Sequence, residues 1–600
     1  MYMVQTQYLR RSQFIITYGP GSILETRNGP RLILSPELGL FYPNNLSPEK
    51  LEISDARMVE LLKFLGGEGG TIRIFGLPAG GEHIYRTVPF PEWRICSRHS
   101  ILFNYSTHEL CPRCRVEGQN PERYDGVRFV LACENGHLDD VNWDLAVHGK
   151  RKCSPDYYEW KSGGPSLCDI TITCPICKSR ISMADIYNRE WSCTGRLPER
   201  EAPGRKKRRE ACDKKAKIKL RQSSDLRIPE ILCLFTIPPI YTELHRKIIG
   251  CRELYSIIYG KEEPSPEELK GALISLVERS LLGEGDANYI LDHPGEEIQQ
   301  VIRDLRNWRP SRGTASYGDF LREEFESLRR ASKEGAPPLP LPNRTSPIIF
   351  EVPRSSIKTF NTSFGLNFRV APITRLRVVI VQRGYRRGYR RLDTTQGTMG
   401  RVVDVSFTRE VEGRPERWYP GVEIFGEGLF ITLEDGELGG GDIWNEWREA
   451  ARSEYPDIFF RDPGRRDEIN PVFVWWHTLS HLLIRVLSID SGYSSASIRE
   501  RIYLQLSGDG ETGGIVLYTV QPGEGTMGGL ISVAGRMGKI LERAMELSEE
   551  CPNDPLCFEN EFRRGRVSGS ACYACVYVSE TSCEHRNMWL DRRLLMEVIA

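Results

Sequence analysis

The sequence has no excess of charge of either sign: 81 Lys and Arg balance 81 Asp and Glu. Bulk electrostatics therefore predicts no partner, and any nucleic-acid surface must be local. No run approaches the roughly 20 uninterrupted apolar residues of a bilayer span, so no membrane partner is expected. The opening MYMVQTQYLRRSQF lacks the apolar block and small-residue cleavage site of a secretory signal. The expected location is cytoplasmic, where thiols stay reduced. No 20- to 50-residue repeat is present, which excludes solenoids and propellers. Nucleotide-hydrolysis motifs are missing too. VAGRMGK (533–539) starts on Val533 where a P-loop needs glycine, and Lys539 is followed by Ile540. No ATP hydrolysis is expected from this chain alone. His477-x3-His481 lacks the glutamate of HExxH, so a zincin is excluded and the pair reads as buried core histidines.

What the chain has is cysteine, 17 residues of it among 600. In a reducing compartment such a number, odd and clustered, points to metal ligands rather than disulfides. A zinc ion needs about four N or S donors converging as a tetrahedron, and Cys-x2-Cys supplies two from one knuckle. The first cluster is Cys96-x2-His99 with Cys111-x2-Cys114; Cys133 and His137 follow closely as substitutes. The second is Cys174-x2-Cys177 with Cys193 and Cys212, for which Cys153 and Cys168 are alternates. The third is Cys551, Cys557, Cys572-x2-Cys575 and Cys583, in which Cys551 is the one expected to drop out and His585 is a further alternate. Cys233 and Cys251, in apolar or helical surroundings, read as inert core thiols. The sites look structural, each offering four protein donors and no open position beside a general base, so no catalytic residue is assigned. Roughly two to three zinc ions are expected from the spacing. A metal-dependent nuclease built on Glu423 and Glu427 is a weaker alternative, because the sequence supplies no further ligands.

Fold class reads as α+β and multidomain, with β-rich regions, helical segments and zinc-ribbon-like insertions. The expected divisions are a β-rich 1–95, a zinc-binding 96–240, a helical 241–345 ending in the proline-rich linker KEGAPPLPLPNR, a β-rich 346–440, and a C-terminal zinc-binding 441–600. YGPGS (18–22) reads as a tight turn rather than a phosphate loop.

Two local basic stretches are the candidate nucleic-acid surfaces. The first, GRKKRREACDKKAKIKLR (204–221), contributes Arg205, Lys206, Lys207, Arg208 and Arg209, whose charge would gain DNA affinity by counterion release. The second, RGYRRGYRR, interleaves Arg383, Arg386, Arg387, Arg390 and Arg391 with two tyrosines, a pattern suited to phosphate contact and base stacking.

Several segments together carry a resemblance. RRSQFIITYGPGSIL (10–24), FPEWRICSRHS, CPRC, RFVLACENGHLDDVNW and WYPGVEIFGEGLF resemble the DrmB family, core subunits of the DISARM anti-phage system. HTLSHLLIR, SIRERIY, EGTMGGL, CPNDPLC, GSACYACVYVSETSCE and NMWLDR resemble the MrfA-like zinc-binding domain. The resemblance implies an SNF2-like helicase partner (DrmA-like) that supplies ATP hydrolysis, and defence through recognition of invading DNA. His99 departs from the expected second knuckle cysteine, and RGYRRGYRR is more basic than the family pattern. A purely structural assembly scaffold is the remaining alternative.

Overall fold

The computed structural model describes residues 8–599 except 28, 41–47, 67–69, 78–84, 120–124, 152, 203–208, 238–241, 252, 255–256, 259–263, 308–316, 341–347, 388–400, 412, 435–437, 455–469, 508–509, 521–527, 561–567 and 586. Two 20-residue strands organise it, Asn367–Arg386 and Arg414–Leu433. Both are dense in Val, Ile, Phe and Tyr, which pack well on a pleated surface. They pair antiparallel from Phe368 opposite Leu433 to Val381 opposite Gly421, with a register shift between Ile373 and Leu376. Around them an 11-stranded sheet forms. Ile228–Phe235 lies along Asn367–Arg386, and Gly510–Val520 and then Ile498–Ser507 extend the sheet beyond Arg414–Leu433. Thr71–Gly76 joins as a parallel partner, Thr71 opposite Glu416.

The architecture is α+β, but the expected divisions cut across one sheet, because every one of the five segments contributes a strand to it. The proline-rich stretch is part of this. Ala336–Pro340 is a strand paired with Ile348–Val352 rather than a free linker. It stands at the end of the strand order, where a proline without an N–H is tolerated.

Both faces of the sheet are covered, and the period-2 alternation of a strand divides its residues between two cores. Leu429, Ile431, Ile515 and Leu517 pack with Trp475, Trp476 and Leu479 on one side. Phe430, Val516 and Tyr518 pack with Phe325 and Leu328 on the other. The first face is closed by the helix Pro471–Asp490, started by Asn470, whose side chain accepts from the Val472 amide, and by Pro471 at the first turn. By length and composition this helix is apolar enough to cross a membrane, but 83% of its apolar window is buried inside the protein. It is the core helix of the C-terminal half.

Residues 93–220 form a separate pair of small sheets, of six and four strands, around Phe129, Trp143, Tyr158, Trp160 and Ile172. Helices Glu243–Gly250, Pro266–Glu278, Glu284–Leu291 and Gly295–Asn307 pack on a third core that includes Leu269, Leu273 and Ile302. Pro266–Glu278 begins with a capping box. The Ser265 hydroxyl accepts from the Glu268 amide, and the Glu268 carboxylate accepts from the Ser265 amide.

YGPGS is a turn docked against the sheet. Gly19 has φ +111° and Gly21 has φ +82°, and a Cβ on Gly21 would lie 2.7 Å from the Tyr385 ring. Only glycine meets both demands. VAGRMGK lies in helical turns, Ala534–Arg536 and the start of Met537–Glu546, with no phosphate-loop geometry.

Candidate metal centres

Four groups of four Cys and His donors converge among the described residues. The first is Cys96, His99, Cys111 and Cys114. Cys96 ends the strand Trp93–Cys96, and the hairpin to Ile101–Asn104 turns at Ser100, which has φ +49°. Cys111 stands just before the short helix Pro112–Val116 and Cys114 lies inside it. His99 Nδ1 is 3.6, 3.5 and 3.3 Å from the sulphurs of Cys96, Cys111 and Cys114, and Cys96 and Cys114 are 3.7 Å apart. A tetrahedron with Zn–S near 2.3 Å and Zn–N near 2.05 Å has edges of about 3.8 Å between sulphurs and about 3.6 Å from sulphur to nitrogen. A disulfide would need about 2.05 Å. The donors thus sit at zinc spacing. His99 Nε2 meets Glu117 Oε1 at 2.9 Å, a carboxylate placed to fix the tautomer that leaves Nδ1 free for metal.

The second group is Cys133, His137, Cys193 and Cys212. The sequence offered Cys133 and His137 as substitutes in the first cluster; the structure instead joins them to Cys193 and Cys212. His137 Nδ1 is 3.3 Å from Cys133 and 3.5 Å from Cys193, and the two sulphurs are 3.4 Å apart. Gly136, at φ +83°, closes the turn between the first two donors, and a Cβ there would collide with Val403 at 2.2 Å. A hydrogen bond from the Cys193 thiol brings Cys133 down to about 5, near the thiolate a metal requires.

The third group is His148, Cys153, Cys174 and Cys177. Cys174 and Cys177 were expected to share an ion with Cys193 and Cys212. Those singles belong to the four-stranded sheet, whereas this knuckle hangs from the strand Ile170–Thr173 of the six-stranded one. Lys178, at φ +62°, turns the knuckle and donates its amide to the Cys174 carbonyl. Hydrogen bonding with Ser179, first at its side chain and then at its backbone, holds Cys177 down to about 6. His148 was not anticipated. It lies at the end of the helix Trp143–His148, and both its ring nitrogens are buried without a hydrogen-bond partner. A buried imidazole without partners is costly, and metal ligation would satisfy it. Its only sequence signal is its place five residues before Cys153.

The fourth group is Cys551, Cys557, Cys572 and Cys575. Cys551, the member expected to drop out, is retained at 3.5 Å from Cys572. Cys557 and Cys572 lie 3.7 and 3.6 Å from Cys575. Burial raises Cys572, but the amides of Cys575 and Ala574 and the Asn553 side chain bring it to about 6. Cys583, expected here, lies elsewhere, beside His477, where the two apolar-helix histidines and Glu500 meet it. His585 packs its ring on Phe473, with centroids 4.9 Å apart. Cys168 is exposed, and Cys233 and Cys251 are buried; all three lie outside the donor groups. All four groups offer closed sets of protein donors that fit structural zinc, which would staple small segments too poor in core to fold alone.

The arginine-rich segment behaves differently from the expectation that it contacts DNA. Arg387 is buried, donating to the carbonyls of Gly136, Gly21 and Leu226 at 3.0, 2.9 and 3.3 Å beside Glu199. Arg386 pairs with Glu230 at 2.6 Å and Arg383 donates to the Leu65 carbonyl at 2.6 Å. These guanidinium groups bind the strand's end to its neighbours because the strand runs into the interior. Arg390 and Arg391 lie outside the described residues, as do Arg205, Lys206, Lys207 and Arg208. Arg209 is exposed, and its backbone pairs antiparallel with that of Arg196 in an isolated bridge of the β type. The nuclease candidates do not form a metal pair. Glu423 is bound by Arg377 at 3.0 Å, and Glu427, wholly buried, accepts from the Gly528 and Leu530 amides and the Tyr493 hydroxyl.

Comparison with known proteins agrees with this layout. Residues 10–228 match a domain of unknown function, DUF8724, and residues 479–576 match the MrfA Zn-binding domain. The DISARM protein DrmB of Bacillus paralicheniformis is 26% identical over 555 residues, covering 85% of this chain and 89% of that protein. A crystal structure of the DUF1998 helicase MrfA bound to DNA overlaps 34% of this chain at 12% identity. Its TM-score is 0.18, and the chain spans 20% of that protein's length, so it bears on neither fold nor function. Extended similarity along the chain and a matched zinc-binding domain that ends in the fourth cysteine group make this chain a relative of the DISARM protein DrmB.

Proposed function

We propose that the chain is a non-catalytic, zinc-stapled subunit that binds DNA and works with an SNF2-like helicase in DISARM-type anti-phage defence. The observation that carries this reading is the similarity to DrmB, a DISARM protein, over 85% of the chain. The basic segment lends support to DNA contact. Cys193 and Cys212 belong to one donor group, so zinc there would pin both ends of the segment holding Arg205 to Arg209. Next in the chain, the strand Lys215–Leu220 turns Ala216 and Ile218 inward and leaves Lys215 and Lys217 exposed. These two lysines line a cleft of about 1300 Å³ that also reaches Arg499. Phosphate contacts from such groups gain affinity through counterion release.

A purely structural scaffold is the second reading, favoured by the internal use of Arg383, Arg386 and Arg387. Co-purification with an SNF2-like helicase co-expressed with this chain, with DNA-stimulated ATPase measured with and without the chain, tests helicase partnership. Neither association nor any change in ATPase rate would sink it. DNA binding titrated with salt separates the two readings, since a scaffold gives no steep slope.

A further inference from the structure

We propose that His477, His481, Glu500 and Cys583 hold a further divalent metal ion, zinc by donor type, separate from the four cysteine-rich groups. Their ligand atoms all lie within 4.8 Å of one another, and all four residues are buried. His477 and His481 are one helical turn apart on Pro471–Asp490 and so share a face. Glu500 comes from the edge strand Ile498–Ser507, and Cys583 from the loop after the fourth group. His477 and Cys583 both fall outside residues 479–576, the stretch matched to the zinc-binding domain.

The hydrogen bonds dictate which ring atoms face inward. His477 Nδ1 meets the Trp589 carbonyl at 3.2 Å, and His481 Nδ1 meets the Val576 carbonyl at 3.1 Å. A carbonyl only accepts, so each Nδ1 carries the proton. In a neutral imidazole each Nε2 is then a lone pair. Both lone pairs point into the cluster. His477 Nε2 is 2.9 Å from Glu500 Oε1 and 3.2 Å from Cys583 Sγ, and His481 Nε2 is 3.3 Å from Glu500 Oε1. The Cys583 sulphur accepts the amides of His585 and Asn587, each at 3.3 Å, the pattern of a thiolate in a metal knuckle. Ser480 donates its hydroxyl to the other Glu500 oxygen.

Charge closes the argument. As metal ligands, a carboxylate and a thiolate with two neutral imidazoles carry two negative charges, which a water-excluded interior tolerates only when a cation compensates them. One divalent cation neutralises the set and gives all four inward atoms a partner. A hydrogen-bonded cluster with both imidazoles protonated would place two buried imidazolium rings 4.6 Å apart, centroid to centroid, with like charges repelling. Histidine lone pairs held by second-sphere carbonyls are the usual arrangement at a metal. With four protein donors and no exposure, the site is structural. It would tie the sheet edge and the C-terminal loop to the core helix.

Elemental analysis of the full-length wild-type chain and of Cys583→Ser and Glu500→Gln is the test, with anomalous diffraction at the zinc edge from wild-type crystals. Five metal ions per wild-type chain are expected, falling by one in either variant, with an anomalous peak between the two Nε2 atoms. A wild-type chain whose count is unchanged by Cys583→Ser overturns the proposal. So does an absent peak at these residues while the four cysteine groups diffract, which does not depend on whether a variant folds.

Discussion

Replacing Arg387 with alanine separates two accounts of the arginine-rich segment. As a phosphate contact, Arg387 would be a surface residue. Its loss would leave stability within about 0.5 kcal/mol and lower the salt slope of DNA binding by about 0.9. The structure places it instead at a three-way junction. Its guanidinium bonds the carbonyls of Gly21 in the N-terminal turn, Gly136 in the second donor group and Leu226 ahead of the strand Ile228–Phe235. It also stands 3.5 Å from Glu199, itself buried, and 4.7 Å from the centre of the Tyr385 ring.

The alanine variant removes donors from three buried carbonyls, at roughly 1–3 kcal/mol for each one left dry. It also strands the Glu199 carboxylate, for which breaking a buried pair costs roughly 3–5 kcal/mol. Water entering the vacated volume re-satisfies the three carbonyls, so a net loss of about 3–5 kcal/mol, that of the broken pair, is expected. Urea unfolding followed by tryptophan fluorescence reads this as an earlier first transition, and a zinc-sensitive dye should report faster release of one equivalent as the Gly136 turn loosens. An unchanged unfolding midpoint together with a flattened salt slope would refute the buried-clamp account and restore Arg387 to the DNA surface.

Other expectations follow from the same geometry. Lys215→Gln combined with Lys217→Gln should lower the salt slope of DNA binding by about two while leaving zinc content unchanged; an unaltered slope removes this strand from the interface. His148→Ala should release one zinc, and Cys193→Ser a different one, so that the double variant lacks two by mass spectrometry; shared loss would return Cys193 to the Cys174 knuckle. Trp475→Ala, at the buried contact between the core helix and Phe368, should destabilise by about 3–5 kcal/mol in a urea melt. Glu427→Gln should cost roughly 1–3 kcal/mol in a urea melt by weakening the anchor on Gly528 and Leu530.

The readable part of this chain was the part written in local spacing. Cys111-x2-Cys114 and Cys572-x2-Cys575 each fall within one donor group, because a knuckle is made by adjacent residues. The turn at Gly19 and Gly21 was legible for the same reason. Assignments that needed two distant segments were not. Cys133 and Cys193 are brought together by strands that pair across the four-stranded sheet, and nothing in their spacing states that pairing. His148 was hidden because a lone histidine at a helix end has no metal pattern until Cys153 and the Cys174 knuckle surround it. RGYRRGYRR misled because charge density reads as exposure, whereas Arg387 caps carbonyls at the end of a buried strand. The five-part division failed on the same ground, since a sheet assembled from every segment leaves no trace in local composition.

The parallel pairing of Thr71–Gly76 with Arg414–Leu433 has a consequence for how the chain is made. Thr71 lies opposite Glu416, so the first strand leaves the ribosome long before its partner exists. At roughly 5–20 residues per second that wait lasts on the order of 15–70 s. Over the same interval residues 93–220 can close their own small sheets and capture metal locally. The region of the first three donor groups is therefore placed to be finished first, and the apolar N-terminal strand is the segment a nascent-chain chaperone would have to shield. A ribosome-stalled chain ending before residue 414 should be protease-resistant across 93–220 and cleaved around 71–76.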